Sequence, residues 1–277
     1  MSRHKPRGGP KPPKETPLSK RVVFFAVLNE RAIQHEAIDA REDLGEVARI
    51  MGAERIRSAY SRVDVARNRI SKKFMELTKN PKDTLVMLDT DHTHPMDIVY
   101  RLARHDVGVV GALCFRRGEP YDPQFYVRGE DGELRQPVEW DPEALDKGTI
   151  IGTGAIAIQR WVFEALEAKG FHYPWFRNMY SDGADEFYGE DWYFGLNCEK
   201  AGIAHYCDFS TISPHMRTAY VDEGTWNTYR AMNPSILGGD SETKEAQVAH
   251  SETGNRNGNQ KGVGDNQAGS EGGPGGD

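Results

Sequence analysis

The sequence has little cysteine, no long apolar run and no basic stripe, and each shortage excludes a class of protein. Its three cysteines, Cys114, Cys198 and Cys207, have neither CxxC spacing nor an even count, which argues against a disulfide framework and a zinc ribbon. We expect them to be small buried side chains in a protein of the reducing cytoplasm. No apolar run approaches the roughly eighteen residues that a membrane-spanning helix needs, so none is predicted.

The two ends of the chain have opposite charge and little of the apolar content of a core. Residues 1–20 are rich in Pro, Lys and Arg and lack the apolar segment of a secretory signal, so we predict a flexible basic arm there. Residues 238–277 are rich in Gly and acids, which predicts a disordered acidic tail. The centre, 21–237, shows no basic stripe, and we expect one folded domain that does not bind nucleic acid.

The central region alternates strands with helices. Apolar runs rich in β-branched residues predict buried strands, and apolar residues at helical spacing predict the helices between them. In chain order these are a strand over 21–28, helices over 31–51 and 63–80, a strand over 84–89, a helix from Pro95, a strand over 107–114, a hairpin within 125–138, a strand and helix over 149–166, a helix over 192–202 and a strand over 205–215. This order predicts an α/β fold with an open, mainly parallel sheet flanked by helices. Ligands of such sheets lie beyond the carboxyl ends of the strands.

Two carboxylates, Asp89 and Asp91, follow the apolar strand TLVMLD with one residue between them. Acids at i and i+2 of an extended segment share a face, and their oxygens suit Mg²⁺ or Mn²⁺ carrying the phosphates of a substrate. Two alternatives remain. The acids would also serve as caps of the strand end and of the helix that Pro95 opens. LDTDHT also matches the DxDxT of haloacid dehalogenase phosphatases, although those enzymes have the motif on their first strand.

Six short motifs in a fixed order indicate a family. They are Leu28-Asn29-Glu30, Val65-Ala66-Arg67-Asn68-Arg69, Leu88-Asp89-Thr90-Asp91, Gly152-Thr153-Gly154-Ala155, Gly189-Glu190-Asp191-Trp192-Tyr193-Phe194 and His215. Over residues 21–220 this order resembles the nucleotide-sugar glycosyltransferases of the GT-A fold, in particular the inverting family 2 type found in phages and bacteria. The resemblance implies a single Rossmann-like GT-A domain and a metal-dependent enzyme. Such an enzyme would move a sugar from a UDP- or GDP-sugar to a hydroxyl of a glycan or other acceptor.

The resemblance also implies a role for each matching residue. Asn29, Glu30, Asp64, Arg67, Asn68 and Asp89 would line the nucleotide pocket; Asp89, Asp91 and His215 would bind Mn²⁺ or Mg²⁺; Gly152, Thr153, Gly154, Glu190 and Trp192 would contact the donor or acceptor sugar; and Asp191 would be the catalytic base. We expect His92 and His94 to lie outside the ligand set or to face solvent, and residues 171–188 to close as a lid. A module that binds a nucleotide sugar or glycan without turnover is a third alternative.

Overall fold

The computed structural model of the chain describes residues 21–28, 35–57, 61–180, 187–217 and 222–232. The chain divides into a larger unit, residues 1–217, and a smaller one, residues 218–277. The predicted basic arm, the predicted acidic tail and the predicted domain end at 237 lie outside the described residues, so these boundaries stay predictions.

The described residues of the larger unit form twelve strands and five helices, and one helix belongs to the smaller unit. The strands are β1 (Val23–Leu28), β2 (Glu54–Arg55), β3 (Thr84–Asp89), β4 (Val109–Leu113), β5 (Phe125–Arg128), β6 (Leu134–Arg135), β7 (Leu145–Gly148), β8 (Ile150–Ile151), β9 (Ala155–Gln159), β10 (Met179–Tyr180), β11 (Phe187–Tyr188) and β12 (His205–Ile212). The helices are α1 (His35–Ile50), α2 (Val63–Leu77), α3 (Ile98–Ala103), α4 (Arg160–Ala168), α5 (Glu190–Lys200) and, in the smaller unit, α6 (Glu223–Met232).

Seven strands form the central sheet in the order β2-β1-β3-β9-β4-β12-β7. β1 is parallel to β2 and β3, and β12 is parallel to β4. β9 runs antiparallel between β3 and β4, and β7 is antiparallel to β12. The predicted open, mainly parallel α/β sheet is therefore confirmed, and β9 begins at the edge where β3, β4 and β12 end.

Both faces of the sheet are buried, as the continuous apolar strands predict. On β3, Leu85 and Met87 face the cluster that contains residues of α2, α4 and α5, whereas Val86 and Leu88 face the cluster with residues of α1 and α3. Asp89 continues the alternation of Leu85 and Met87 at the strand end. Its carboxylate consequently meets α2.

Several local predictions need small changes. The helix after Pro95 begins only at Ile98, because Pro95 supplies a carbonyl to the Ile98 amide in a turn before the helix. Between the helices predicted over 31–51 and 63–80 the chain also forms the short strand β2, for which no strand was predicted. The three cysteines are buried and unpaired, as expected. Among the described residues, every helix is too short or too polar to cross a bilayer.

Candidate active site

The carboxyl edge of the sheet brings the ends of β3 and β12 together with the start of β9. The amide of Asp89 donates to the carbonyl of Gly154 at 2.8 Å, and that of Thr93 donates to Pro214 at 2.9 Å. The amide of Met216 donates to the carbonyl of Asp91 at 2.7 Å. These backbone bonds hold the segment after β3 against the segment after β12, although the two are more than a hundred residues apart in the chain.

Three side chains converge at this edge. Asp91, His92 and His215 each offer a ligand atom, and these atoms lie within 4.8 Å of one another. Nε2 of His215 lies 3.0 Å from Oδ2 of Asp91, and Nε2 of His92 lies 3.9 Å from Oδ1 of the same carboxylate. The two imidazoles stack with ring centroids 4.1 Å apart. The cluster therefore has the donor types of a divalent-metal site.

Backbone carbonyls orient both imidazoles of the cluster. Nδ1 of His92 lies 3.0 Å from the carbonyl oxygen of Ser213, and Nδ1 of His215 lies 3.1 Å from that of Phe115. Because a carbonyl oxygen can only accept, each Nδ1 carries the hydrogen. Nε2 of the neutral His92 ring therefore keeps its lone pair, whereas Nε2 of His215 donates to Asp91 when the His215 ring is protonated. The hydrogen bond at Nδ1 is the second contact that usually fixes a metal-binding histidine.

Mutual charge perturbs the titration of the cluster. Burial acts to raise the pKa of Asp91, but the hydrogen bond and charge of His215 lower it to about 2. Burial and the charge of His215 lower the pKa of His92 to about 4. Burial opposes protonation of His215, yet the bond to Asp91 raises the pKa of this histidine above its usual value. The carboxylate and the His92 imidazole are therefore in their ligand forms at neutral pH.

Arg67 connects the end of β3 with the start of α5. Its Nη2 donates to both carboxylate oxygens of Asp89 at 2.8 Å, and its Nε donates to Oε1 of Glu190 at 3.1 Å. Burial raises the pKa of Asp89 to about 7 against the opposing charge of Arg67. Asp89 is not part of the Asp91 cluster, and both of its oxygens accept from Arg67; its role as a metal ligand stays a prediction.

Asp191 lies in the first turn of α5, next to Glu190. Its Oδ1 accepts a hydrogen bond from the Trp192 amide at 2.8 Å. Burial, followed by the charge of Glu190, raises the pKa of Asp191 to about 6. A hydrogen bond from the backbone at the start of a helix lowers a carboxyl pKa by itself, but here desolvation outweighs it.

Aromatic rings surround the start of α5. Trp192 is half-buried, with Tyr126 at 4.9 Å and Tyr188 at 5.3 Å between ring centroids. Beside them, Tyr180 and Phe187 pair across β10 and β11 and are both exposed. Tyr126 is buried, and the other four rings provide apolar faces of the kind on which a sugar stacks.

Other residues predicted for the site have structural contacts. Both amide hydrogens of Asn68 are bound, to the carbonyls of Asp64 and Phe176, so Asn68 fastens the backbone at Phe176 instead of facing a ligand. The carboxylate of Asp64 is held by Arg62 at 2.6 and 2.7 Å. Gly152 lies against the side chain of Gln124.

The remaining predicted positions add little to this geometry. Thr153 is buried beside the glycines. Asn29, Glu30 and the centre of the predicted lid, 181–186, lie outside the described residues.

Sequence reasoning missed two residues beside Asp91. His92 was expected outside the cluster but is buried within it. Arg117, whose side chain is exposed, reaches Oδ2 of Asp91 at 3.2 Å. The position of His92 immediately after the two acids was the available signal; nothing in the sequence marks Arg117.

No protein-family profile matches the sequence, and no curated protein matches it. Solved structures with similar backbones include a mutant of Drosophila β1,4-galactosyltransferase 7 in complex with manganese, UDP-Gal and xylobiose, at 10% identity and a TM-score of 0.38 over 74% of this chain and 79% of that one.

Two further solved structures have lower TM-scores. The inositol-1-phosphate CTP transferase of T. maritima has 8% identity and a TM-score of 0.37 over 75% of this chain and 94% of that one. A glycosyltransferase involved in glycosylation of the major capsid of PBCV-1 has 13% identity and a TM-score of 0.29 over 56% and 69%.

Proposed function

We propose that this chain is a metal-dependent glycosyltransferase that moves a sugar from a nucleoside diphosphate sugar to a hydroxyl of a glycan or other acceptor, with inversion. One observation carries the proposal: Arg67 ties the strand before a candidate metal-binding pair, Asp91 and His215, to the helix that carries Asp191, a buried carboxylate of raised pKa. Such a pair and such a base are the two parts that this chemistry requires.

Asp91 and His215 would hold the ion. The oxygen and nitrogen lie 3.0 Å apart, a separation compatible with neighbouring ligands of one ion. A bound Mn²⁺ or Mg²⁺ would neutralise the charge that develops on the diphosphate leaving group. The exposed guanidinium of Arg117, next to Asp91, adds a protein cation where the diphosphate of a UDP- or GDP-sugar would arrive.

Asp191 would take the proton from the acceptor hydroxyl. Its pKa of about 6 leaves it ionised at neutral pH while making it a stronger base than an exposed aspartate. Arg67 holds both carboxylate oxygens of Asp89 and one oxygen of Glu190. A single displacement with Asp191 as base inverts the anomeric centre, and Trp192 would contact the acceptor.

The phosphatase alternative requires Asp89 as a nucleophile. Nη2 of Arg67 occupies both of its oxygens at 2.8 Å, and an attacking carboxylate oxygen needs to be free. This contact favours the transferase over a DxDxT phosphatase.

A thermal-shift panel tests the proposal. We expect UDP, GDP, CDP or TDP to raise the melting temperature of the full chain in the presence of Mn²⁺, and the matching nucleotide sugar to release its diphosphate when an acceptor is supplied. Asp91→Asn should remove both effects. Asp131→Asn, which changes an exposed aspartate of the β5–β6 hairpin, is the matched control and should remove neither.

The outcomes separate the alternatives. If none of the four nucleotides shifts the melting temperature with Mn²⁺ present, the proposal fails. Binding that survives Asp191→Asn, together with no turnover in the wild-type chain on any acceptor tried, would instead indicate a binding module. Phosphate release from an aryl phosphate that is lost in Asp89→Asn would indicate the phosphatase.

A further inference from the structure

We propose that His92 is a third protein ligand of the metal, so that the site takes Mn²⁺ or a later first-row divalent ion in preference to Mg²⁺ and takes it without the nucleotide. This inference deepens the proposed function and rests on the metal assigned there to Asp91 and His215.

The His92 ring is buried and directed at the cluster. Its side chain is 4% exposed, and its Nδ1 is bound to the Ser213 carbonyl. Among the described residues, Nε2 has no hydrogen-bond partner and lies 3.9 Å from Oδ1 of Asp91. Two ligand atoms that each lie about 2.1 Å from one ion are at most roughly 4.2 Å apart. The separation of His92 from Asp91 therefore fits a shared ion.

The absence of a side chain at Gly154 permits this position of His92. A Cβ at Gly154 would lie 2.6 Å from both Cε1 and Nε2 of the His92 ring. Gly154 immediately precedes β9, and its carbonyl accepts a hydrogen bond from the Asp89 amide, so the backbone cannot move away easily. Gly154, predicted to give a sugar close access, here gives access to an imidazole.

The neighbouring histidine shows that burial alone does not produce such an orientation. His94 is held at both nitrogens, by the carbonyl of Asp89 at 2.8 Å and by the hydroxyl of Ser213 at 2.7 Å. It can offer no lone pair to the cluster. His94 therefore stabilises the backbone, whereas Nε2 of His92 remains available to a metal ion.

The donor set determines which ion is favoured. Mg²⁺ prefers oxygen ligands and retains water, whereas imidazole nitrogen suits Fe²⁺, Co²⁺, Ni²⁺ and Zn²⁺ and is accepted by Mn²⁺. With two imidazoles and one carboxylate, nitrogen supplies most of the protein ligands. Three oriented protein ligands also reduce the dependence on substrate phosphates, so the ion binds before the nucleotide.

The inference is tested by titrating the full chain with Mn²⁺ alone. The electron paramagnetic resonance signal of the free ion measures how much Mn²⁺ remains unbound. We expect the wild type to bind Mn²⁺ without nucleotide and Mg²⁺ to displace it only at large excess. His92→Asn keeps a donor near the position of Nδ1 for the Ser213 carbonyl but deletes Nε2. This variant should bind Mn²⁺ at least tenfold more weakly than the wild type. Its preference for Mn²⁺ over Mg²⁺ should also be smaller.

Gly154→Ala should weaken binding in the same direction by displacing the ring. Two variants provide matched controls: His172→Gln, at an exposed histidine paired with Glu167, and Gly45→Ala, whose Cβ would meet nothing within 4 Å. Both should bind Mn²⁺ as the wild type does.

One measurement needs no variant. Nitrogen modulation of the electron spin echo of Mn²⁺ bound to the wild type should report two coordinated imidazoles, and one imidazole would overturn the inference even if the variants do not fold. Unchanged Mn²⁺ affinity in folded His92→Asn, or no Mn²⁺ binding without nucleotide, would also overturn it. His92-dependent Mn²⁺ binding with no turnover of any nucleotide sugar would support this inference while the proposed function fails.

Discussion

Nη2 of Arg67 lies 2.8 Å from both carboxylate oxygens of Asp89, and the arginine side chain is only 1% exposed. The same guanidinium donates to Glu190, the residue before the candidate base. A charged side chain this deep in a protein is tolerated when its charge is paired. Arg67 thus fixes the distance between the strand that precedes the candidate metal site and the helix that carries Asp191.

Replacing Arg67 should lower stability strongly. Arg67→Ala leaves the carboxylates of Asp89 and Glu190 partly buried without their partner, and breaking a buried pair costs about 3 kcal/mol or more. Urea unfolding at pH 7 measures the change. Arg69→Ala, at an exposed position of the same helix, should change the free energy of unfolding by less than about 0.5 kcal/mol. Equal effects of the two variants would contradict the role of Arg67.

The sequence predicted the framework of this site better than its contacts. Strand and helix periodicity located β3, α2 and α5 and indicated that acids at the strand ends share one edge. It could not show that Asp89 pairs with Arg67 while Asp91 pairs with His215. That choice depends on the turn after β3 that carries Asp91 and on the register between β12 and β4, which shifts between Asp208 and Ile212.

Removing the candidate base should affect turnover and not nucleotide binding. Asp191→Asn keeps an oxygen that can accept from the Trp192 amide, but it cannot take a proton. We expect kcat to fall by roughly 10²- to 10⁴-fold, with the Mn²⁺-dependent thermal shift by the nucleotide retained.

A matched change on the same helix provides the comparison. Glu199→Gln alters a carboxylate that is paired with Arg128 near the surface of α5. Because surface substitutions usually have small effects, kcat of this variant should stay within about twofold of wild type. Transfer by Asp191→Asn at the wild-type rate would exclude Asp191 as the base.

The raised pKa of Asp191 gives two pH dependences. Because the ionised form is the base, kcat should increase tenfold per pH unit up to about pH 6 and then level off. Stability should change in the opposite direction: the folded protein holds the proton more tightly than the unfolded chain, so stability falls as pH rises from about 4 to about 6.

Asp191→Asn should therefore be more stable than wild type at pH 7, by about 3 kcal/mol, and the difference should disappear near pH 4. Urea unfolding of both proteins across this range measures it. A constant difference at every pH would show that Asp191 titrates with an ordinary pKa.

The sequence pattern did not predict that the ring of His205 is buried, just as it did not predict the burial of His92. His205 follows Gly202 at the start of an apolar strand, where a histidine is usually placed at the surface. In the structure it is 0% exposed and stacks on Phe194, with centroids 5.7 Å apart. Only the packing of α5 on the sheet covers it, and that packing is a tertiary property.

Replacing His205 by an apolar residue should stabilise the protein, and more so in acid. Neither ring nitrogen has a hydrogen-bond partner among the described residues, so His205→Leu removes an unsatisfied donor and should gain about 1 kcal/mol at pH 7.5. Burial lowers the pKa of His205 to about 4 against the opposing charge of Glu199. As the pH falls, the unfolded chain therefore takes up this proton at a higher pH than the folded protein does. The stability of the wild type decreases as the pH falls from about 6.5 to about 4, by roughly 3 kcal/mol from this group. The advantage of His205→Leu over wild type in urea unfolding should grow across that range, whereas His172→Gln at the surface should show no such growth. A pH-independent difference, or a net loss of stability at pH 5, would mean that His205 has polar partners in solution.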